Sequence, residues 1–457
     1  MTSGMTNRLV AERPQPSDPR PWRFPAFERR AVAGGRVIAA HLPGRPLAVL
    51  SLVVDAGAVT EPAGQEGVAQ VLAAALSEGT QRRDAYEFAV AGERLGASWQ
   101  AHADWDSLRC GFEVPAGELP AAAELLAEAV REPGLSDATL DRVRDERLDE
   151  VAVDMSQPGP RAGTAFADAV FTPASRYSIP DGGDLESIGR VGNDAVRAFH
   201  HSRVVPAAAT LVVVGDLDGI DVDVLGRAVF DGWAADPPAP VAPDVTVHGG
   251  GRRVVLVDRP GSVQSMLYVG HDGPPRSTPD YVAMTTMSLA LGGMFSSRLM
   301  SKLREEKGYS YGAYGGYDCR RHGGVFVSRA AVQTEVTAPA LSDLVAELQR
   351  MHDGGVTEDE LDRARSYRAG IFPINFAGPG AVAAGLGELV VHGHPDDHFD
   401  RLRAAILDVG TDEVNAAAAA RLRPDDLVAV VVGDAATVGA DIRALDLGPV
   451  HVVHDAG

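Results

Sequence analysis

The sequence predicts an α+β protein made of two tandem homologous domains, each with a mostly antiparallel sheet covered by helices. Three observations support this prediction. Segments of the first half recur in the same order in the second half, a Pro- and Gly-rich stretch separates the halves, and strand-like and helix-like segments alternate within each half. Two such layers that face each other would enclose a cavity.

The internal repeat is the first of these observations. Three pairs of segments match at a nearly constant offset of about 220 residues, which is the length expected of one copy. Three matches in one order are hard to obtain by chance, so we treat the halves as two copies of one fold. The matched pairs are residues 36–44 and 253–261, 140–144 and 361–365, and 211–216 and 429–434.

Composition marks the boundary between the copies. Residues 236–251 contain many Pro and Gly residues, as expected of a linker. We therefore predict an N-terminal domain at residues 30–235, this linker, and a C-terminal domain at residues 252–457. Residues 1–29 are rich in Pro, Arg and Ser and lack the apolar core of a secretory signal, so we predict a flexible N-terminal tail.

The second structural signal is the alternation of elements. Apolar, β-branched runs predict strands, and longer segments with capping residues predict helices. The predicted strands include residues 47–54 and 265–270, and the predicted helices are residues 66–78, 121–131, 136–153 and 193–200.

Charge and cysteine content limit the classes of partner and compartment. The chain carries 42 Lys and Arg against 63 Asp and Glu, a net charge of −21, which would repel a nucleic acid backbone. The same charge would attract basic peptides, or would serve only solubility. Cys110 and Cys319 are too few for a disulfide framework. With no apolar run long enough to span a membrane, we expect a cytoplasmic protein.

One motif, at residues 67–80, connects the sequence to known chemistry. It resembles the helix on which insulinase/pitrilysin-like zinc peptidases of the mitochondrial processing peptidase type carry an inverted His-x-x-Glu-His motif, followed by a Gly-Thr turn. In that motif both His bind zinc and the Glu activates water. Here Gln70, Ala73 and Ala74 occupy the three positions, followed by the turn Gly79-Thr80. We therefore expect this chain to bind no metal there.

The resemblance extends beyond this helix. Glu150 aligns with the family's third zinc ligand, but one carboxylate cannot rebuild the site, and the alternative is an ordinary carboxylate on a solvated helix face. Residues 86–102 resemble a segment leading to the strand that edges the peptidase cleft. Such a strand could pair with an extended peptide by β-augmentation. The alternative is an ordinary edge strand.

A second motif, at residues 291–314, resembles the segment that supplies an Arg and a Tyr to the substrate. By position these roles fall to Arg298 and Tyr311, while Tyr309 and Tyr314 remain alternatives for the Tyr. A guanidinium and a phenol together can hold a peptide carbonyl and stabilise charge that develops on it.

This segment also allows interpretations without function. The alternative for Arg298 is an ion pair on the helix surface with Glu305 or Glu306. Gly292 and Gly293 are permissive for movement, for close backbone approach or for a helix end.

The resemblance therefore implies a subunit that is not catalytic alone and whose two domains form half of a clam-shaped chamber. It would bind peptide substrate in a heterodimeric zinc metallopeptidase, with a homologous partner that keeps His-x-x-Glu-His and holds the zinc. Two alternatives stay open. The chain could be a structural scaffold, as family members in respiratory complexes are, or it could capture peptides without any peptidase activity.

Overall fold

The structure, a computed structural model, describes residues 19–454 and contains two six-stranded sheets. Each half of the chain builds one sheet and most of the helices that cover it. The elements of the first half are β1 (Glu28–Val32), β2 (Gly35–His41), β3 (Leu47–Val54), α1 (Val68–Ala75), α2 (Ala85–Arg94), β4 (Ser98–Ala103), β5 (Leu108–Pro115), α3 (Leu119–Arg131), α4 (Asp137–Ser156), α5 (Pro158–Val170), α6 (Leu185–Arg190), α7 (Asn193–Arg203), β6 (Ala209–Gly215) and α8 (Val222–Phe230).

The second half repeats this plan with an additional irregular helical region. Its elements are β7 (Arg253–Asp258), β8 (Gln264–Gly273), α9 (Tyr281–Ser288), α10 (Arg298–Met300), β9 (Ala313–Cys319), β10 (Gly324–Gln333), α11 (Thr337–Gly354), α12 (Glu358–Gly370), α13 (Phe372–Asn375), α14 (Pro379–His392), α15 (His398–Asp408), α16 (Thr411–Arg421), β11 (Val428–Gly433), α17 (Ala435–Ala444) and β12 (Val450–His454). Two π-helical segments, Leu289–Gly293 and Ser301–Glu306, flank α10.

The strand order confirms the predicted α+β class with mostly antiparallel sheets. The first sheet runs β1-β2-β6-β3-β5-β4 and the second runs β12-β7-β11-β8-β10-β9, so β4 and β9 are edge strands at equivalent positions. Hydrogen bonds repeat as well: the Gly44 N–H donates to Asp216 at 2.8 Å, and the Gly261 N–H donates to Asp434 at 2.9 Å. The copies differ at one edge, where β1 pairs antiparallel with β2 but β12 pairs parallel with β7.

The two halves exchange one helix each. Helix α5 of the first half packs on β8 and β11 of the second sheet, and α14 of the second half packs on β3 and β6 of the first sheet. Each sheet therefore has helices of its own half on one face and a helix of the other half on the opposite face. The sequence predicts only the first layer, because an apolar helix face does not specify which sheet it will cover.

The N-terminal segment differs from the predicted flexible tail where it can be described. Residues 1–18 lie outside the described residues, but Trp22 stacks on Phe376 at 5.6 Å and Phe24 stacks on Phe399 at 4.6 Å. Phe24 is buried, and the strand β1 begins at Glu28. The aromatic side chains explain the difference, because their burial against the second half offsets the entropy of ordering the segment.

The connection between the halves is fixed by backbone hydrogen bonds. The N–H of Thr172 donates to Thr246, and the N–H of His248 donates to Val170, so the predicted linker lies along the end of α5. No single helix within residues 19–454 is long and apolar enough to cross a membrane. Residues 358–375 and 379–392 would reach that threshold only together, and they are bent by 113°.

Candidate functional site

Helix α1, which carries the positions of the zinc motif, is fixed at its N-terminus by a buried ion pair. The Glu61 carboxylate accepts the N–H of Gly67 and of Ala69, which places a negative charge at the positive end of the helix. Arg176 donates to the same carboxylate at 2.7 Å, and both side chains are almost inaccessible to solvent. Gly67 has a φ of 97°, and a Cβ atom there would lie 3.0 Å from the Gly182 carbonyl oxygen, so any other residue would be strained and crowded at this position.

The three motif positions do not provide a metal site. Ala73 is fully buried in the core of the first half, and Ala74 is partly buried against it. Neither alanine side chain has a donor atom for a metal. Gln70 has an amide oxygen, but this oxygen accepts the N–H of Ala103, the last residue of the edge strand β4, at 3.0 Å. Zinc sites use imidazole, thiolate or carboxylate ligands, so the residues present do not fit zinc.

Glu150 lies on α4, which packs against α1. Its carboxylate forms an i,i+3 ion pair with Arg147 at 2.9 Å, and its side chain is 65% exposed. This is the arrangement of an ordinary solvated helix face, where such pairs contribute little to stability.

The predicted substrate-binding segment is built around the two π-helical turns. Such turns are rare in proteins and occur frequently at functional sites. Gly292 lies in the first turn, and a Cβ atom there would come within 2.4 Å of the Gly315 backbone nitrogen. A Cβ at Gly293 would meet the Leu289 side chain at 2.8 Å. Of the three interpretations offered for this pair, close backbone approach therefore applies at Gly292, because only glycine allows helix and strand to approach so closely.

Arg298, the first residue of α10, is engaged within its own half of the chain. Its Nε and Nη2 atoms donate to the two carboxylate oxygens of Glu360 at 2.6 and 2.7 Å, and Nη2 also donates to the Gly355 carbonyl at 2.7 Å. Both side chains of the pair are mostly buried. The sequence suggested Glu305 or Glu306 as ion-pair partners, but the partner lies at the start of α12.

The pair also affects the acidity of Glu360. Burial alone would raise the pKa of the Glu360 carboxyl, but hydrogen bonds from Arg298 and Thr357 and the charge of Arg298 lower this pKa below its ordinary value. The carboxylate is therefore ionised at neutral pH, and two of the three guanidinium nitrogens of Arg298 are held by it. Arg298 thus connects α10 to α12.

Arg304 is the arginine that lies beside Tyr311. Its guanidinium carbon is 5.1 Å from the centre of the Tyr311 ring and 4.9 Å from the centre of the Phe295 ring. Within the described residues, Arg304 forms one ion pair, with the exposed Glu305 at 3.3 Å. Arg304 lies seven residues before Tyr311 in the same motif, so the sequence contains this candidate, but the position in the family motif indicates Arg298.

The structure also distinguishes the three tyrosines. Tyr311 is 89% exposed, and Tyr314 is 52% exposed with its ring over Gly312. Tyr309 is partly buried against the core of the second half. Tyr311 is therefore the tyrosine whose hydroxyl group is most accessible to a ligand.

Two other groups of reactive side chains are occupied or inert. Ligand atoms of Glu388, His394 and His398 come within 4.8 Å of one another, but Arg276 donates to Glu388 at 3.0 Å and lies 3.2 Å from His398, where a cation would otherwise sit. Burial raises the pKa of the Cys110 thiol to about 12 and that of Cys319 to about 11, so both remain protonated.

Comparison with known proteins supports the resemblance found in the sequence. Residues 36–170 match the family model described as "Insulinase (Peptidase family M16)", and residues 190–367 match "Peptidase M16 inactive domain". An uncharacterised zinc protease of Streptomyces coelicolor is 26% identical over 85% of this chain and 86% of its own length. A protein of Helicobacter pylori named as a non-peptidase homologue is 22% identical over 72% of this chain and 76% of its own length.

Solved structures give the same fold. A Pseudomonas fluorescens protein described as a peptidase M16 inactive domain superimposes with a TM-score of 0.82 at 24% identity, and the match covers 89% of this chain and 98% of that one. The two matched family models together span most of the described residues and both halves of the repeat. The chain therefore belongs to the insulinase family of peptidases, as a member in which the residues at the zinc-motif positions do not fit zinc.

Proposed function

We propose that this protein is the substrate-binding subunit of a heterodimeric zinc peptidase and acts in the cytoplasm. The observation that carries this proposal is that α1 keeps its place in the fold but has no residues that fit zinc. The helix keeps its position and its buried N-terminal ion pair, but Ala73 lies in the core and the Gln70 amide binds the end of β4. The zinc and its water would come from a homologous partner with an intact His-x-x-Glu-His motif.

The peptide would be held at two places on this subunit, the edge strand β4 and the pair of Arg304 and Tyr311. Strand β4 is an edge strand, and its main chain offers hydrogen bonds to an extended peptide by β-augmentation. Such pairing recognises the backbone and accepts many sequences. The curated relatives include both a protein named a zinc protease and one named a non-peptidase homologue, so both kinds of member that a division of labour requires occur among them.

The polar donors of the site would be Tyr311 and Arg304. We assign the arginine role to Arg304 rather than Arg298, because Glu360 and Gly355 already occupy Arg298 whereas Arg304 lies against Tyr311. The Tyr311 hydroxyl and the Arg304 N–H groups would donate to the carbonyl of the peptide bond that is cut. Charge that develops on this oxygen would be stabilised by both donors.

One specific observation favours the alternative that the protein is a structural scaffold. Arg298, the arginine assigned by resemblance, serves the packing of α10 against α12. If Arg304 and Tyr311 also had no role in turnover, the protein would be a structural scaffold that keeps only the fold of the family.

Purification of the complex tests the proposal. We expect the tagged chain, isolated from its native host, to carry a homologue with an intact zinc motif in a 1:1 complex that cleaves unfolded peptides. An obligate pair of this kind should bury roughly 2,000 Å² or more. A chain that stays monomeric at micromolar concentration in the presence of every homologue of its host with this motif would contradict the proposal.

A further inference from the structure

Three large exposed side chains lie on one short segment of the second half. Phe295 is 68% exposed, Tyr311 is 89% exposed and Tyr314 is 52% exposed. Single exposed apolar residues are normal on a protein surface, but several exposed aromatic side chains on one short segment suggest a binding site.

Arg304 connects two of them, Phe295 and Tyr311. Its guanidinium lies against Phe295 and Tyr311, with the ring centres 4.9 and 5.1 Å from its central carbon. Cation–π contacts of this length hold the two rings and the guanidinium together. The N–H groups at the edge of the guanidinium can still donate hydrogen bonds, since an aromatic ring covers a face of the group and not its edge.

Phe295 is held outward by the residues around it. Met294 is buried, and Ser297 caps α10 by accepting the N–H of Met300. The close approach of Gly292 to Gly315 fixes the π-helical turn before them. A large aromatic side chain is therefore presented to solvent from a turn that is anchored on both sides, and a ligand that covers it would gain free energy by removing its apolar surface from water.

We propose that Phe295 and Tyr311 form a subsite for one large apolar side chain of the bound peptide, next to the donors that hold its main chain. This inference rests on the proposed function and adds a residue that sets substrate preference. A peptide matches the surface because each residue brings an apolar side chain and a carbonyl together. An apolar patch on a partner subunit would instead leave the Arg304 donors unpaired.

Matched peptides test the subsite in the assembled complex. Two peptides that differ at one position, Leu in one and Ser in the other, are compared by their kcat/KM values, and the position is moved along the peptide. At the position that occupies the subsite we expect the Leu peptide to be preferred by roughly tenfold to a hundredfold. Phe295→Ser should bring this ratio close to one, while Phe295→Leu should keep most of it.

Ile374 supplies the matched control, because it is 73% exposed and lies on α13, outside the segment. Ile374→Ser should leave the ratio unchanged. An unchanged ratio in Phe295→Ser would overturn the proposal. The proposal would also be overturned if Phe295→Ser weakened the association of the subunits in sedimentation but kept the preference for the Leu peptide. Phe295 would then belong to the subunit interface.

Peptide binding by the isolated chain separates this inference from the proposed function. The same two peptides, labelled with fluorescein, are titrated with wild type and Phe295→Ser and followed by anisotropy. A Leu preference that depends on Phe295 without any partner that cleaves peptide would keep the subsite and refute the heterodimeric peptidase. A complex that cleaves both peptides with the same preference in wild type and Phe295→Ser would support the heterodimeric peptidase and refute the subsite.

Discussion

Arg298 and Glu360 form a bidentate ion pair that joins the start of α10 to the start of α12, with N···O distances of 2.6 and 2.7 Å. Both side chains are less than one-fifth exposed. The pair gives Arg298 a structural role and leaves Arg304 as the arginine beside Tyr311. Stability and turnover measurements can separate these two roles.

Glu360→Gln should lower the free energy of unfolding by about 1–3 kcal/mol at neutral pH, because it weakens charge-assisted hydrogen bonds. The folded-state pKa of Glu360 lies below its ordinary value. The stabilisation is therefore complete above the ordinary glutamate pKa of about 4.3 and is lost as the pH falls through the lower folded-state value. Denaturant unfolding of both proteins between neutral and acidic pH measures this. If the wild type remained more stable than Glu360→Gln at acidic pH, the ion pair with Arg298 would not be the source of the stabilisation.

Arg304→Met and Tyr311→Phe should each lower kcat of the assembled complex by about 10²–10³ while assembly stays intact, because each removes one donor to the developing charge. Steady-state kinetics with a peptide that the wild type cleaves provide the test. A rise in KM alone would show that these donors bind the ground state as strongly as the transition state.

Arg298→Met is the comparison variant for these two. It should reduce stability with little change in kcat for the folded complex, since its donors face Glu360 and Gly355. A large loss of kcat in Arg298→Met, with unchanged turnover in Arg304→Met, would show that Arg298 is the arginine that serves the substrate.

Arg176→Met should be among the most destabilising substitutions in the chain. It would leave the Glu61 carboxylate buried without its cation, and removal of one partner of a buried pair costs about 3–5 kcal/mol. Thermal unfolding should show a much lower Tm. The double variant Arg176→Met with Glu61→Gln should recover part of the loss, and no recovery would mean that Glu61 does not carry the charge.

The sequence predicted much of the fold, because the repeat and the alternation of elements are local signals. It could not predict the exchange of α5 and α14, since an apolar helix face does not identify the sheet that buries it. The same limit applies to the site. Glu360 lies 62 residues from Arg298, so spacing within the motif offered only Glu305 and Glu306 as partners. The packing of Trp22 and Phe24 against the second half was missed for the same reason.

The isolated chain should bind no stoichiometric zinc after dialysis, because Gln70, Ala73 and Ala74 offer no usable ligand set. Metal analysis by mass spectrometry measures this directly. A substoichiometric amount that Glu388→Gln or His398→Ala removes would come from the cluster around Arg276 and would leave the expectation for α1 intact.

The central claim is tested most directly by peptide cleavage and zinc content measured on this chain, on its purified partner, and on the two together. We predict that the mixture forms a 1:1 complex with one zinc per pair, held by the partner, and that its turnover far exceeds that of either subunit alone. Tightly held zinc in this chain with cleavage that a chelator abolishes would contradict the account, as would a partner whose cleavage is unchanged when this chain is added.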